Sequence, residues 1–124
     1  ASAMLTQHPD LNGIYVAWAT AADGVLAALR SAGNSDVAVV TNDLDQNMAL
    51  DMIQGGNIVG VVANAAVATG NDLGVVAAYG VLGKEAPELV VTAPVPTTIE
   101  NLEEGWRAEF ATDLPADLRE ALGG

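Results

Sequence analysis

Cysteine is absent from the 124 residues, which removes disulfides, thiolate nucleophiles and Cys-ligated metals from consideration. Positive charge is scarce: 4 Lys and Arg stand against 16 Asp and Glu, for a formal net charge of −12. Neutralising phosphates requires clustered Lys and Arg, so the composition argues against nucleic-acid binding and against docking on anionic membrane. Long apolar runs are missing too, since none reaches the ~18 residues of a membrane-spanning segment. Only one histidine is present. His8 stands in the turn-like Gln7-His8-Pro9-Asp10 with no Ser or Cys partner evident, and reads as a surface residue.

What is there is a 51% hydrophobic chain, enough for one domain with a real core. Residues 1–4, Ala1-Ser2-Ala3-Met4, read as a tag remnant ahead of a cloned methionine, leaving 5–124 as the folded unit. An export signal, if the parent protein is exported, is then expected upstream.

From Gly13 onward, short β-branched runs alternate with amphipathic stretches. Ile14-Tyr15-Val16-Ala17-Trp18 predicts a first strand. Thr20 then suits a helix cap, with Asp23 to complement the dipole, Ala22, Val25, Leu26 and Leu29 as the apolar stripe, and Gly33 as the stop. Val37-Ala38-Val39-Val40 predicts a second strand. Asp45 caps a helix with a Met48, Ala49, Met52, Ile53 stripe that ends at Gly55-Gly56. Ile58-Val59-Gly60-Val61-Val62 is the third strand, followed by a helix over roughly 71–82 with Leu73, Val76, Ala77 and Val81 on one side. Leu89-Val90-Val91 is a further strand candidate. Thr98 caps a helix carrying Ile99, Leu102, Trp106 and Phe110, and Leu114-Pro115 opens a last short helix ending at Gly123-Gly124. Apolar strands linked by helices predict an α/β fold: a three-layer parallel sheet with helices on both faces.

Ligands of open parallel sheets bind beyond the carboxyl ends of the strands. Those positions hold Trp18 after the first strand, Asn42 and Asp43 after the second, and Asn64 after the third. An indole face can cover the C–H face of a sugar ring, Asp43 can accept from neighbouring hydroxyls, and the two amides both donate and accept. Each also has a plainer reading: Trp18 as packing, Asp43 as a cap or turn within Asn42-Asp43-Leu44-Asp45, and Asn64 as a turn residue. Asp43 and Asp45 lack calcium-loop spacing. Gly55-Gly56 and Gly70-Asn71-Asp72-Leu73-Gly74 match neither phosphate-loop nor dinucleotide patterns. Trp106 reads as packing, and Glu100, Glu103 and Glu104 as a solvated face. No nucleophile–base pair or convergent acid and base assembles, so no enzyme activity and no cofactor are expected.

Several stretches, in order, carry a resemblance. They are His8-Pro9-Asp10-Leu11-Asn12-Gly13-Ile14-Tyr15, Gly24-Val25-Leu26-Ala27-Ala28-Leu29-Arg30-Ser31-Ala32-Gly33, Asp36-Val37-Ala38-Val39-Val40-Thr41-Asn42-Asp43 and Ile53-Gln54-Gly55-Gly56-Asn57-Ile58-Val59-Gly60. Val81-Leu82-Gly83-Lys84-Glu85 and the 94–101 segment fit as well. The chain resembles the C-terminal part of type 1 periplasmic (solute) binding proteins, of the ribose- and galactose-type that serve sugar ABC transporters. The resemblance implies one flavodoxin-like lobe, incomplete, whose sugar contacts fall on Trp18, Asp43 and Asn64, with Asn42 at a further contact position. Trp18-Ala19-Thr20 departs from the family's usual polar pair, and Leu44-Asp45 from its glycine-containing turn.

The implied function is solute binding for a bacterial ABC importer, with a monosaccharide or related polyol as ligand and an ABC permease as the partner of the two-lobed parent. The implied location is periplasmic or extracellular, with a membrane-tethered lipoprotein included. Surface left apolar by an incomplete lobe can drive homodimerisation. Two alternatives share the architecture: an effector-binding fragment of a LacI-type regulator, and a flavodoxin- or Rossmann-like enzyme domain.

Overall fold

A computed structural model of the chain describes residues 1–123. It is an α/β fold on a four-stranded sheet in the order β1-β2-β3-β4. Strand β1 (Gly13–Val16) pairs in parallel with β2 (Ala38–Asn42), and β2 in parallel with β3 (Ile58–Ala63). Strand β4 (Val95–Thr97) pairs antiparallel with β3 and closes one edge. Helix α1 (Ser2–Gln7) precedes the sheet, α2 (Ala19–Ala32) links β1 to β2, and α3 (Gln46–Ile53) links β2 to β3. Helix α4 (Ala66–Val81) follows β3, and α5 (Leu102–Phe110) and α6 (Ala116–Gly123) end the chain. The last expected helix ends at Gly123-Gly124, of which Gly124 lies outside the described residues.

The strand order explains where the core sits. Two right-handed crossovers stepping the same way across a sheet put both helices on one face. That face carries the cross-strand row Val16, Thr41, Val61, Thr97, in which every member is buried. Onto it pack Ala22, Leu26 and Leu29 of α2 and Met48, Ala49 and Met52 of α3, the stripes expected from helical spacing. Helix α5 completes this layer with Leu102 and Trp106, the latter tilted against Phe110 with ring centroids 4.4 Å apart. The neighbouring row Tyr15, Val40, Gly60 belongs to the opposite face, where Tyr15 is 67% and Val40 39% exposed. Of the expected three-layer parallel sheet, one helical layer is built and the added edge strand is antiparallel. Because both crossovers step the same way, no helix among the described residues packs on the Tyr15 and Val40 face.

Turn chemistry accounts for most boundaries. Gly33 ends α2 at φ 64°, the left-handed conformation that glycine adopts without steric cost. Asp45 caps α3, its carboxylate accepting from the Met48 N–H at 2.9 Å. Thr98 caps a short 3-10 turn, Ile99–Asn101, that leads into α5, and Asn101 answers by accepting from the Thr98 N–H at 2.8 Å. Ile99 is 41% exposed and lies off the stripe to which its spacing assigned it.

Three element assignments differ from the sequence expectation: the starts of α2 and α4 and the place of the fourth strand. Helix α2 starts at Ala19, so Trp18 and not Thr20 holds the N-cap position. Its carbonyl accepts from the N–H groups of Ala21 and Ala22, both at 3.1 Å. Asp23 falls beyond the first turn and instead accepts from the Asn47 side chain at 3.3 Å, tying α2 to α3. Helix α4 begins five residues before the expected start, and none of its residues is buried; Leu73 and Val81 are 65% and 88% exposed. Leu89-Val90-Val91 is no strand; the fourth strand is Val95–Thr97, despite Pro94 and Pro96. Proline is tolerated there because β4 is an edge strand with no outer neighbour to receive a donor.

Candidate functional site

Parallel pairing brings the carboxyl ends of β1, β2 and β3 to one edge. Val16 pairs with Thr41 and Thr41 with Val61, so the chain leaves the sheet at Trp18, Asp43 and Asn64 close to one line across it. Each exit is shaped by the residues that follow. After β1 the chain turns directly into α2, and Trp18, extended at φ −161°, remains 55% exposed at the helix entrance. A core role for Trp18 is incompatible with that exposure.

After β2 the chain does something less ordinary. Asp43 has φ 65°, a left-handed conformation that costs an L-residue roughly 1–2 kcal/mol and that Asp tolerates better than most. Two neighbours hold it there. Its N–H donates to the Val62 carbonyl at 3.1 Å, extending the sheet ladder one residue past the strand. Leu44, 2% exposed, anchors the next position in the core. Capping of α3 is performed by Asp45, which leaves the Asp43 carboxylate for another partner.

That partner is Asn64. Its side-chain amide donates to Asp43 Oδ1, joining the end of β3 to the end of β2 across 21 residues of sequence. Both side chains are only partly buried. The pair thus presents a carboxylate with one oxygen engaged and lone pairs remaining, beside an amide that retains a carbonyl acceptor and a second donor. Such a set can bind vicinal hydroxyls, each of which donates once and accepts, and charge-assisted bonds to the carboxylate are the stronger ones.

Asn42 does not join this group. It is the last residue of β2, and its amide donates to the Tyr15 hydroxyl at 3.0 Å. Tyr15 lies opposite Val40, two residues back on β2, so the contact is diagonal over the bare face of the sheet. The strand-end rule missed Tyr15; strand alternation, which places it on the face shared by Val40 and Asn42, is the signal that could have found it.

Asn64 is followed by a second left-handed residue, Ala65, at φ 54° and ψ 51° and 7% exposed. The Ala65 N–H donates to Glu109 Oε2 at 3.1 Å, and Glu109 is 6% exposed in the last turn of α5. Nothing in the sequence pointed to Glu109, which stands 44 residues from its partner.

The remaining candidates keep their plainer readings. His8 is exposed beyond α1, Trp106 is buried in the core, and Glu100, Glu103 and Glu104 are exposed. Among the described residues, no group of three or more His, Asp or Glu side chains is placed to hold a metal ion.

No protein-family model matches the chain, and no curated protein matches it by sequence. Solved structures do match in fold. A glucose-galactose binding protein from Geobacillus stearothermophilus superposes with a TM-score of 0.74 at 22% identity, over 81% of this chain and 36% of its own. A 5-methylthioribose transporter solute binding protein from Thermotoga lettingae, in complex with 5-methylthioribose, gives 0.71 at 23% identity, over 98% of this chain and 42% of its own. An ABC transporter solute binding protein from Agrobacterium vitis with bound D-fucose gives 0.76 at 18% identity, over 87% and 37%. The chain therefore spans about two-fifths of the length of these binding proteins and shares the fold of that part.

Proposed function

We propose that the chain is a sugar-binding half-site, part of an extracytoplasmic solute-binding protein that hands a neutral sugar to an ABC permease. The observation that carries this reading is the Asp43–Asn64 pair. Asp43 is held in a conformation that L-residues rarely adopt, at the carboxyl edge of the parallel strands, with its carboxylate turned to Asn64 and not used as a cap. Strain of this kind persists where the surrounding structure holds it, and it concentrates at ligand clamps. In the proposed complex the exposed Trp18 indole covers one face of the sugar ring, while Asp43 and Asn64 take its hydroxyls. Asn42, tied to Tyr15, borders the site from the bare face. The fold neighbours are binding proteins whose named ligands are sugars, which supports the ligand class and a role without catalysis.

Ligand contact from one side predicts weak binding, since a sugar enclosed between two lobes is normally ~70–90% buried. The test is a two-dimensional NMR titration of the chain with millimolar D-galactose, D-glucose, D-fucose and 5-methylthioribose. The expected result is saturable shifts at the Trp18 indole, the Asp43 amide and the Asn64 side chain, absent in Asp43→Ala and in Trp18→Ala. Shifts spread evenly over the surface, or saturable shifts that survive Asp43→Ala, would remove the site.

A further inference from the structure

We propose that Glu109 is a positioning residue of this site: through the Ala65 N–H it fixes the left-handed turn that presents Asn64 to Asp43. The proposal rests on the sugar-binding reading for its purpose, although its geometry stands apart from any ligand.

Glu109 is hard to explain by the stability of α5 alone. It lies next to the last residue of the helix, where the carbonyl end of the dipole disfavours a negative charge. It is 6% exposed, and burial of a carboxylate is unfavourable unless the group is hydrogen-bonded. Among the described residues its hydrogen-bond partner is the Ala65 N–H, and no salt bridge involves it. The other end of that bond makes sense of it. Ala65 holds the N-cap position of α4 but has no side chain with which to cap, and it sits at φ 54° without the freedom of glycine. A carboxylate supplied by α5 therefore meets the electropositive start of α4 from outside.

The Ala65 N–H belongs to the peptide plane that joins Asn64 to Ala65. Aiming that N–H at Glu109 sets ψ of Asn64 and φ of Ala65 together. The Asn64 side chain leaves the backbone at Cα, the first atom of that plane, and reaches Asp43. Among the described residues Glu109 hydrogen-bonds to neither Asp43 nor the Asn64 side chain, and it acts through backbone orientation.

Three variants of the 124-residue chain separate positioning from ordinary packing, read in ligand-free protein by the Asn64 side-chain amide resonances and by thermal melting. Glu109→Gln keeps an acceptor and should keep the Asn64 resonances in place. Glu109→Leu fills the space but leaves the buried Ala65 N–H without its acceptor, so it should stay folded and melt somewhat lower than the unsubstituted chain. It should move the Asn64 resonances toward those of Asp43→Ala, which breaks the same contact from the other side. A folded Glu109→Leu with unmoved Asn64 resonances overturns the proposal. So does an Ala65 amide in the unsubstituted protein that exchanges at the rate of an open chain; protection on the order of 100-fold is expected.

Sugar binding is read separately. If the parent shows saturable shifts with D-fucose, Glu109→Leu should weaken them about tenfold and Glu109→Gln by less than about twofold, the span between losing and keeping one net hydrogen bond. A parent that binds none of the sugars ends the functional reading and leaves the Asn64 measurement to decide the positioning role.

Discussion

Replacing Gly105 with alanine sets two known effects against each other. Glycine in a helix interior is less favourable than alanine by ~1 kcal/mol, so propensity alone makes Gly105→Ala stabilising. The structure reverses that sign. Gly105 is buried where α5 crosses β4, and a Cβ built there lies 2.8 Å from Thr97 Cβ, with Thr97 Oγ1 and Cγ2 closer still. Thr97 has little room to retreat: it is 1% exposed, its Oγ1 donates to the Val95 carbonyl at 3.0 Å, and its backbone pairs with Val61. Helix α5 must then lift from the sheet, loosening Leu102 and Trp106 on either side. Overpacking of this kind costs about 1–3 kcal/mol, and with backbone displacement added the upper half of that range applies. After subtraction of the propensity gain, a net loss of about 1–2 kcal/mol is expected. Urea denaturation monitored by circular dichroism should show a lower midpoint with an unchanged slope. The double variant Thr97→Ala/Gly105→Ala removes the two closest atoms, so the pair should show a coupling of at least ~1 kcal/mol. A Gly105→Ala chain as stable as its parent would refute the reasoning, because it would mean that α5 does not seat on Thr97. Glu109 follows Gly105 by one helical turn on the same side, so the same substitution should also speed exchange of the Ala65 amide.

Two further outcomes follow from local geometry. Asp45→Ala removes the cap of α3 and should cost about 1 kcal/mol in urea unfolding, with Asp45→Asn close to neutral. The Arg107–Asp113 ion pair, 3.0 Å long with both side chains well exposed, should be nearly silent: Asp113→Asn is expected to change stability by no more than ~0.5 kcal/mol and to leave its salt dependence unaltered.

The parts legible in the sequence were those governed by local rules. Gly33 and Asp45 act within a few residues of themselves, and the Leu26–Leu29 and Met48–Met52 stripes follow directly from helical period. The strand-end positions of Asp43 and Asn64 were legible because strand ends are found by reading where an apolar run stops. The start of α4 was not, since its N-cap is an alanine held left-handed by a carboxylate from another helix. Asn71 had the right chemistry for a cap, and the helix simply runs through it. The fourth strand was misread for a related reason. Leu89-Val90-Val91 has strand composition but nothing beside it, whereas Val95–Thr97 has prolines yet finds β3. Pairing, a property of two segments, outweighed propensity, a property of one.

The order in which the strands lie has a consequence for how the chain folds. Each strand pairs with the one made just before it, across intervals of roughly 20 to 36 residues, and none waits for a partner from a distant part of the sequence. The entropy of closing such loops rises only slowly with their length, so no single step is much costlier than the rest. A sheet of this kind can be laid down strand by strand as the chain leaves the ribosome, with α2 and α3 covering each new pair. Pulse-labelled hydrogen exchange should find β1, α2 and β2 protected no later than β4. The antiparallel edge, fixed last, carries α5 and therefore Glu109 into place, so the Asn64–Ala65 turn takes its final geometry at the end of folding.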